Sequence, residues 1–268
     1  MNDNETPTTG PGAGTTRAED AKFAAASIPS PSQPNQPSLS LSHPTLSLSH
    51  PTRSLYDHEV AAVKDDVLRM GSMVEAQIRA AISALVTHNA EAALQVILAD
   101  RQINDVQRQA TTKIVTVIAT QNPVARDLRF LLTLDHVSYE LERMGDHAGS
   151  VAKQARKLAP HAPLKDYVRL PLLGERVAAQ VQGIIRALVD VDQEGARRVA
   201  ALDDDVDILY HQIFDEVLVL MRDDPANVDP GTRILFAAHY LERIGDRVTN
   251  IAEDIVFLAS GEVEDLNP

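Results

Sequence analysis

The sequence predicts an all-α fold: two tandem, pseudo-symmetric three-helix bundles preceded by a disordered N-terminal tail. The composition is 44% hydrophobic but only 4% aromatic, with no Trp, which favours packed helices over a β-sandwich. Apolar residues recur at three- and four-residue steps through most of the chain. The motif Leu-Glu-Arg-Met-Gly-Asp at 141–146 returns as Leu-Glu-Arg-Ile-Gly-Asp at 241–246, 100 residues later. Such a repeat indicates two structurally similar units.

The first 53 residues differ in composition from the rest of the chain. They are rich in Pro, Ser, Thr and Gly, and Leu-Ser-Leu-Ser-His-Pro-Thr occurs in tandem at 39–45 and 46–52. Closely spaced prolines exclude a helix, and the apolar surface is too small to offset the entropy of ordering the chain. Residues 1–53 are therefore predicted to be a disordered tail, in which His43 and His50 are ordinary residues rather than metal ligands.

The first predicted unit, residues 54–160, contains three helical stripes. The first stripe spans 60–85, and the second spans 96–117. Asn122-Pro123 is interpreted as an N-cap followed by proline in the first turn of the third helix. The prolines within 159–163 end that helix.

The second predicted unit, residues 161–268, repeats this plan. Its helices are predicted at about 168–191, at about 194–222, and from Asp229-Pro230 to about 260. Short connections between long helices predict an up-down-up bundle in each unit.

Composition excludes several classes of function. The absence of Cys rules out disulfides and thiolate metal sites, and a formal charge of −13 argues against nucleic-acid binding. Neither a signal peptide nor an apolar run of ~18 residues is found, so a cytoplasmic protein without a membrane span is predicted. The chain also lacks a phosphate-binding glycine loop and a nucleophile elbow, so we predict that it is not an enzyme.

Acidic pairs at a spacing of four are the candidate functional residues. This spacing places both carboxylates on one helix face, about 40° apart, where they flank the apolar stripe. Pairs on the second and third helices of each unit are expected to lie on the same side of the bundle. Clustered oxygen ligands without thiols suit Mg, Mn or Fe ions. The candidate metal ligands are Asp100, Glu142, Asp146, Asp203, Asp207, Glu242 and Asp246.

A structural interpretation of the same residues stays open. A lone Glu-x-x-x-Asp is usually a solvated helix face, and Arg143 and Arg243 could pair with the acids. Against this, a glycine inside each third helix costs ~1 kcal/mol relative to alanine, which suggests close helix approach. The scattered histidines are interpreted as surface or packing residues: His147, His211 and His239.

The repeated Glu-Arg-(Met/Ile)-Gly-Asp motifs resemble signatures of the PhoU family. Further similarity lies in Met-Gly-Ser-Met-Val-Glu at 70–75 and in Gln-Asn-Pro-Val-Ala-Arg-Asp-Leu-Arg at 121–129. The resemblance covers about 54–262 and implies a symmetric pair of three-helix bundles with metal-binding acidic motifs. It also implies a homodimeric negative regulator of phosphate uptake and of the phosphate-starvation response. Such regulators link the ATPase subunit of the phosphate ABC transporter to the sensor histidine kinase.

Matching the family motif residue by residue distinguishes the two units. In the first unit the ligands carry over to Glu142 and Asp146, while Asp100 has the neutral Asn104 as its partner and Gln107 stands where relatives place Glu. In the second unit all four acids carry over: Asp203, Asp207, Glu242 and Asp246. The second unit is therefore expected to bind Mn²⁺ or Mg²⁺ more tightly.

Two other functions compete with an adaptor of phosphate signalling. The first is a carboxylate-bridged metal-storage protein or metalloenzyme, which would require Glu-x-x-His pairs directed into the bundle core. The second is a helical scaffold in which the acids are merely solvated.

Overall fold

The computed structural model describes residues 51–164 and 169–266, with side chains from residue 54 onward. Most of the predicted tail, including His43 and His50, lies outside these residues. Its last three residues, 51–53, belong to the first helix.

Helices α1 to α7 form the described chain, and they confirm the all-α fold. They are α1 (Pro51–Val86), α2 (Ala90–Gln121), α3 (Ala125–Leu158), α4 (Arg169–Asp190), α5 (Gln193–Ala200), α6 (Asp203–Asp223) and α7 (Val228–Ser260), with a 3₁₀ turn at Pro225–Asn227. We call α1–α3 the first repeat and α4–α7 the second repeat. None of the described helices is long and apolar enough to cross a membrane.

The prediction of a single helix at about 194–222 is wrong, because two helices occupy this segment. After α5 the chain tightens, and the Leu202 N–H donates to the Val199 carbonyl, 3.1 Å away. Three consecutive aspartates, beginning with Asp203, then occupy the first turn of α6. Carboxylates stabilise a helix N-terminus through its dipole and its free N–H groups, so the acidic run favours a new helix start at this point.

Asn122 closes α2 and does not cap α3, contrary to the sequence prediction. Its φ of 48° lies in the left-handed region, and its N–H donates to the Ile118 carbonyl. Asn tolerates this conformation better than most residues, and helices commonly end in it. The N-cap of α3 is Val124, which makes no side-chain capping bond.

The two repeats share one apolar core. Within each repeat the helices pack against one another, and the repeats meet where α1 crosses α4 and where α3 crosses α7. The buried cluster runs without interruption through both repeats, from Val63 on α1 to Ile255 on α7. Long side chains at its centre, such as Met70 and Leu141, are fully buried.

Glycines let α1 and α4 approach closely. A Cβ on Gly71 would lie 2.7 Å from Ile185 Cγ1, and a Cβ on Gly174 would lie 2.5 Å from Ile82 Cγ1. The glycines are 103 residues apart, as are the isoleucines. Each repeat therefore inserts an isoleucine over the glycine of the other, and the contact is pseudo-symmetric.

The crossing of α3 with α7 is less symmetric. Arg247 Nη1 lies 3.2 Å from Glu140 Oε2, in a pair whose carboxylate is buried. At the corresponding place on the other side, His147 stacks on Tyr240 with the ring centroids 6.0 Å apart. Related positions thus carry an ion pair on one side of the crossing and a ring pair on the other.

Candidate metal centre

The carboxylates of the second repeat meet where α6 packs on α7. Asp203 and Asp207 lie in the first turns of α6, and Glu242 and Asp246 lie one turn apart on α7. A Cβ added to Gly245 would collide with Asp203 Oδ1. The Asp203 carboxylate therefore rests on the backbone of α7, in space that only glycine leaves free.

A glutamine from α4 completes this cluster. Gln180 is 1% exposed, and its Nε2 lies 3.4 Å from Asp203 Oδ1. Its Oε1 is buried and has no hydrogen-bond partner. An unpaired buried acceptor costs about 1–3 kcal/mol, so a donor or a cation at this place would be stabilising.

Burial and mutual repulsion disfavour the charged forms of these acids. Burial, with smaller contributions from Asp207 and Asp246, raises the pKa of Asp203 to about 6. Burial and the Asp246 carboxylate raise the pKa of Glu242 to about 7. The pKa of Asp207 is also raised, first by burial and then by Asp246. A bound cation would reverse these effects.

The first repeat forms a related cluster between α2 and α3. Gln77 Nε2 lies 3.3 Å from Asp100 Oδ1, and a Cβ on Gly145 would lie 3.4 Å from that oxygen. Burial raises the pKa of Asp100, and the Asp146 carboxylate adds to the effect. Asn104 follows Asp100 by one helical turn, and its Oδ1 is buried and has no hydrogen-bond partner.

One oxygen is left without a hydrogen bond at the same position in both clusters. Glu142 Oε2 and Glu242 Oε2 are both buried and unpaired. Arg143 Nε lies 3.5 Å from the first oxygen, and His239 Nδ1 lies 3.3 Å from the second. Both nitrogens are close enough for a charge interaction, but neither is aligned for a hydrogen bond. Two buried carboxylate oxygens therefore have unused capacity to bind a cation.

The second acid of each Glu-x-x-x-Asp motif pairs with a neighbouring arginine, as the structural interpretation predicts. Arg143 Nη1 lies 3.1 Å from Asp146 Oδ2, and Arg243 Nη1 lies 2.5 Å from Asp246 Oδ2. Both arginines keep about two fifths of their side chains exposed. Pairing with arginine thus accounts for Asp146 and Asp246, whereas Glu142 and Glu242 each keep one buried oxygen without a hydrogen bond.

The predicted ligands of each repeat lie close enough together for their charges to interact. Six of them are half-buried beside the apolar stripe, as expected: Asp100, Glu142, Asp146, Asp207, Glu242 and Asp246. Asp203 is 6% exposed and is buried more deeply than its angle on the helix alone indicates, because α7 approaches closely at Gly245. The sequence analysis missed Gln77 and Gln180, which a comparison of the two units at a separation of 103 residues would have aligned.

The atoms of the two clusters are of the chemical kind that a hard divalent cation prefers. Carboxylate and amide oxygens with unpaired, partly desolvated positions are ligands that Mg²⁺ and Mn²⁺ prefer. Within residues 51–164 and 169–266, however, no three Asp, Glu or His side chains already converge on one point as metal ligands. Binding would therefore require side-chain rotation at the half-buried positions.

Comparison with known proteins identifies the family. Residues 67–155 and 170–255 each match the model described as the PhoU domain. A PhoU homolog of the phosphate-specific transport system from Clostridium acetobutylicum, named as an accessory protein, is 36% identical over 214 residues. These residues are 80% of this chain and 98% of the relative.

Solved structures agree with the sequence relatives. The crystal structure of PhoU from Pseudomonas aeruginosa matches with a TM-score of 0.74 and 33% identity, covering 77% of this chain and 100% of that one. The phosphate transport system regulatory protein PhoU from Streptococcus pneumoniae matches with a TM-score of 0.73 and 27% identity, covering 78% and 99%. These names describe accessory and regulatory proteins, in agreement with the prediction that the chain is not an enzyme. The chain belongs to the PhoU family.

Proposed function

We propose that this protein is a metal-binding negative regulator of phosphate uptake and of the phosphate-starvation response. It acts in the cytoplasm as a homodimer, and it links the ATPase subunit of the phosphate ABC transporter to the sensor histidine kinase. The relatives support the phosphate-transport part of this proposal, since one is named as an accessory protein of that transport system. The metal-binding part is supported by the chemistry of the two clusters.

The observation that carries the proposal is the unpaired buried oxygen of Glu142 and of Glu242. Each lies in a cluster whose glutamate has a raised pKa, chiefly because of burial. The bound ion would be Mg²⁺, Mn²⁺ or an iron ion, and it would supply positive charge to neutralise the carboxylates. The residues proposed to hold it are Asp100, Glu142 and Asp146 in the first repeat, and Asp203, Asp207, Glu242 and Asp246 in the second.

Exposed apolar side chains on the helices that carry the clusters support a role in binding partners. Leu132 and Tyr139 on α3 are 54% and 44% exposed, and Phe236 on α7 is 44% exposed. Aromatic residues with neighbouring arginines are enriched in protein interfaces. We propose that this face of α3 and α7 contacts the transporter ATPase or the kinase once an ion has neutralised the clusters.

A complementation experiment tests this function. Cells lacking their own PhoU protein would carry the full chain and a reporter of the phosphate-starvation response. The wild-type chain should silence the reporter in abundant phosphate, whereas the double variant D203N/D246N should leave it active. The matched control is D204N/D205N, which removes two exposed acids from the same turn of α6. Silencing by D203N/D246N, or loss of silencing in the control as well, would contradict a role for the cluster.

Titration of the purified protein tests the ranking of the two clusters. D100N/D146N leaves only the second cluster intact, and D203N/D246N leaves only the first. The second cluster should bind Mn²⁺ more tightly, because it presents four carboxylates and the first presents three. Equal or tighter binding by the first cluster would refute the ranking.

A further inference from the structure

The charge of α6 differs from that of α2, its counterpart in the first repeat. Positions 203–221 on α6 contain six acidic residues and no Lys or Arg. The corresponding positions on α2, 100–118, contain two acidic and three basic residues. The duplication therefore supplies an internal reference, and against it α6 is strongly acidic.

The same comparison shows that α6 exposes apolar side chains in unexpected places. Ile208 is 55% exposed, Phe214 is 37% exposed, and Val219 is 52% exposed. The corresponding positions on α2 carry polar residues, as a solvated helix face normally does: Asp105, Thr111 and Thr116. Apolar side chains grouped on a surface mark a place where another molecule binds.

Ile208, Asp215 and Val219 lie on one face of α6. At about 100° per residue, Asp215 and Val219 each lie within about 20° of Ile208 around the helix axis. Asp215 is exposed. The apolar residues that α6 buries lie on its opposite side: Val206, Ile213 and Val217. Two exposed apolar side chains, with an acid between them, thus form the centre of the outward face of α6.

Phe214 borders this face on the side of α7. Its ring lies 6.3 Å from the ring of Tyr210, which lies 6.2 Å from the ring of His239 on α7. Within residues 54–164 and 169–266, an arginine lies over the rings of Tyr139 and Phe257, but over none of these three. Ring faces attract cations. An exposed phenylalanine on an acidic helix can therefore accept a guanidinium from another molecule.

The charge of this face limits the class of partner. The acidic residues repel the phosphates of nucleic acids and the anionic surface of a membrane, whereas they attract a basic protein segment. Ile208 and Val219 are separated by 11 residues, or about 16 Å along the helix axis. A segment that contacts both needs an apolar stripe about three helical turns long, which an amphipathic helix provides.

We propose that the outward face of α6 binds a basic amphipathic helix of a partner protein. The apolar side chains of that helix pack against Ile208 and Val219, and its arginine or lysine residues pair with Asp215 and lie over Phe214. This surface goes beyond the proposed function, which assigns partners to the face of α3 and α7. It needs no bound ion.

The test is binding of a synthetic peptide to the full chain in the presence of EDTA. The probe is a fluorescein-labelled amphipathic helix of about 18 residues, or five turns, with leucine on one face and arginine and lysine on the other. In a matched peptide, glutamate replaces every basic residue. Fluorescence anisotropy should show binding of the basic peptide alone, and its affinity should fall as salt screens the charges. Binding of both peptides equally, or of neither, would overturn the proposal.

Surface variants locate the binding site. I208Q/V219T changes only exposed positions, so the fold should be retained, and circular dichroism would check it. We expect its affinity for the basic peptide to fall at least about tenfold, because contact area at both apolar side chains is lost. D215K should also weaken binding, and more at low salt than at high salt.

The matched control for these variants lies on α2. L98Q/V115T removes side chains that are 47% and 59% exposed, and it should bind the basic peptide as tightly as the wild type. Unchanged affinity of I208Q/V219T, or an equal loss in the control, would overturn the proposal.

Sedimentation velocity distinguishes a foreign partner from a second copy of the chain. We expect the wild type and I208Q/V219T to have the same mass in solution. A lower mass for the variant would show that another copy covers this face, and the assignment of a basic partner would then be wrong. Loss of metal binding in D203N/D246N concerns the carboxylate clusters alone and does not bear on this surface.

Discussion

The two repeats use the same three helices to build a carboxylate cluster, but they surround it differently. In each repeat a glutamine on the first helix contacts an aspartate on the second, 3.3 Å apart in one repeat and 3.4 Å in the other. Where the first repeat has Asn104 and Gln107, the second has Asp207 and Tyr210. Burial, with a smaller contribution from the added charge, raises the pKa of Asp203 to about 6. The positions that the two repeats share define the cluster. The positions that differ determine how strongly its carboxylates repel one another.

The contact between the repeats shows a second difference. Glu140 and Tyr240 occupy corresponding positions, yet one pairs with Arg247 and the other stacks on His147. An ion pair depends on both partners being present, whereas stacked rings tolerate the loss of a polar group. Related positions in a duplicated chain therefore differ in how much they contribute to stability.

The largest expected effect comes from breaking the Glu140–Arg247 pair. E140A leaves a partly buried guanidinium without its carboxylate, and we expect a loss of about 3 kcal/mol in the free energy of unfolding. Y240F, at the corresponding position, should change it by less than about 0.5 kcal/mol. Urea denaturation measures both values. Similar losses for the two variants would show that the crossing is symmetric in energy despite its different side chains.

The glycines of the third helices give the next largest effect. G245A forces a methyl group against Asp203 Oδ1, and we expect a destabilisation of about 2 kcal/mol. G145A meets Ile103 Cδ1 at 3.1 Å, the far end of a flexible side chain. The alanine there also gains about 1 kcal/mol of helix propensity, so its net effect should be near zero. Thermal melting of the two metal-free variants would detect the difference, and equal melting temperatures would contradict it.

A smaller effect concerns pH. The pKa of Glu242 in the folded protein is about 7, above the ordinary value of 4.5. The folded state therefore retains a proton that the unfolded state has lost, and stability of the metal-free protein should fall as pH rises from about 4.5 to about 7. E242Q should remove part of this decline. After allowance for solvent screening, we expect about 1 kcal/mol at pH 8, or roughly 2–4 °C in Tm.

The matched control for this prediction is E142Q in the first repeat. The pKa of Glu142 is raised by burial and by Asp146, in a cluster with one carboxylate fewer. We expect E142Q to stabilise the protein less than E242Q. A decrease in Tm for E242Q at pH 8 in the absence of metal would show that the charged form is not disfavoured.

The smallest expected effect concerns the N-cap residues at corresponding places in the two repeats, and it tests whether they contribute equally to the free energy of unfolding. Asn89 caps α2 through a bond of 2.9 Å from Ala92 N–H, and Asp192 caps α5 through a bond of 2.9 Å from Gly195 N–H. N89A and D192A should each cost about 1 kcal/mol. The charge of Asp192 should add a few tenths of a kcal/mol through the helix dipole. Urea midpoints measured at low and at high salt would separate the charge contribution of Asp192 from its hydrogen bond, because salt screens only the charge contribution.

The sequence predicted the duplication and the helices well, because periodic apolar residues and a repeated motif are local signals. It did not predict the burial of Asp203. An angle on an isolated helix ignores the neighbouring helix, and α7 approaches most closely at Gly245. The gap between α5 and α6 was missed because no proline or glycine marks it. The acidic run from Asp203 to Asp205, a favourable helix start, was the available signal.

The metal ligands remain a prediction, for a physical reason. The spacing along a helix determines which carboxylates share a face, but it does not determine the rotamers that would bring their oxygens to one ion. His239 illustrates the limit. Its three-residue spacing from Glu242 resembles the ligand spacing of carboxylate-bridged di-iron bundles with the order reversed, and only the structure shows that the two side chains are in contact.

The reciprocal contact of Gly71 with Ile185 and of Gly174 with Ile82 has a consequence for substitutions at this crossing. A contact in which position i meets j and position j meets i is the isologous pattern of a two-fold homodimer. Here the pattern joins two halves of one polypeptide. In a homodimer one mutation would change both contacts at once, whereas in this chain a substitution at Gly71 or at Gly174 alters only one of the two.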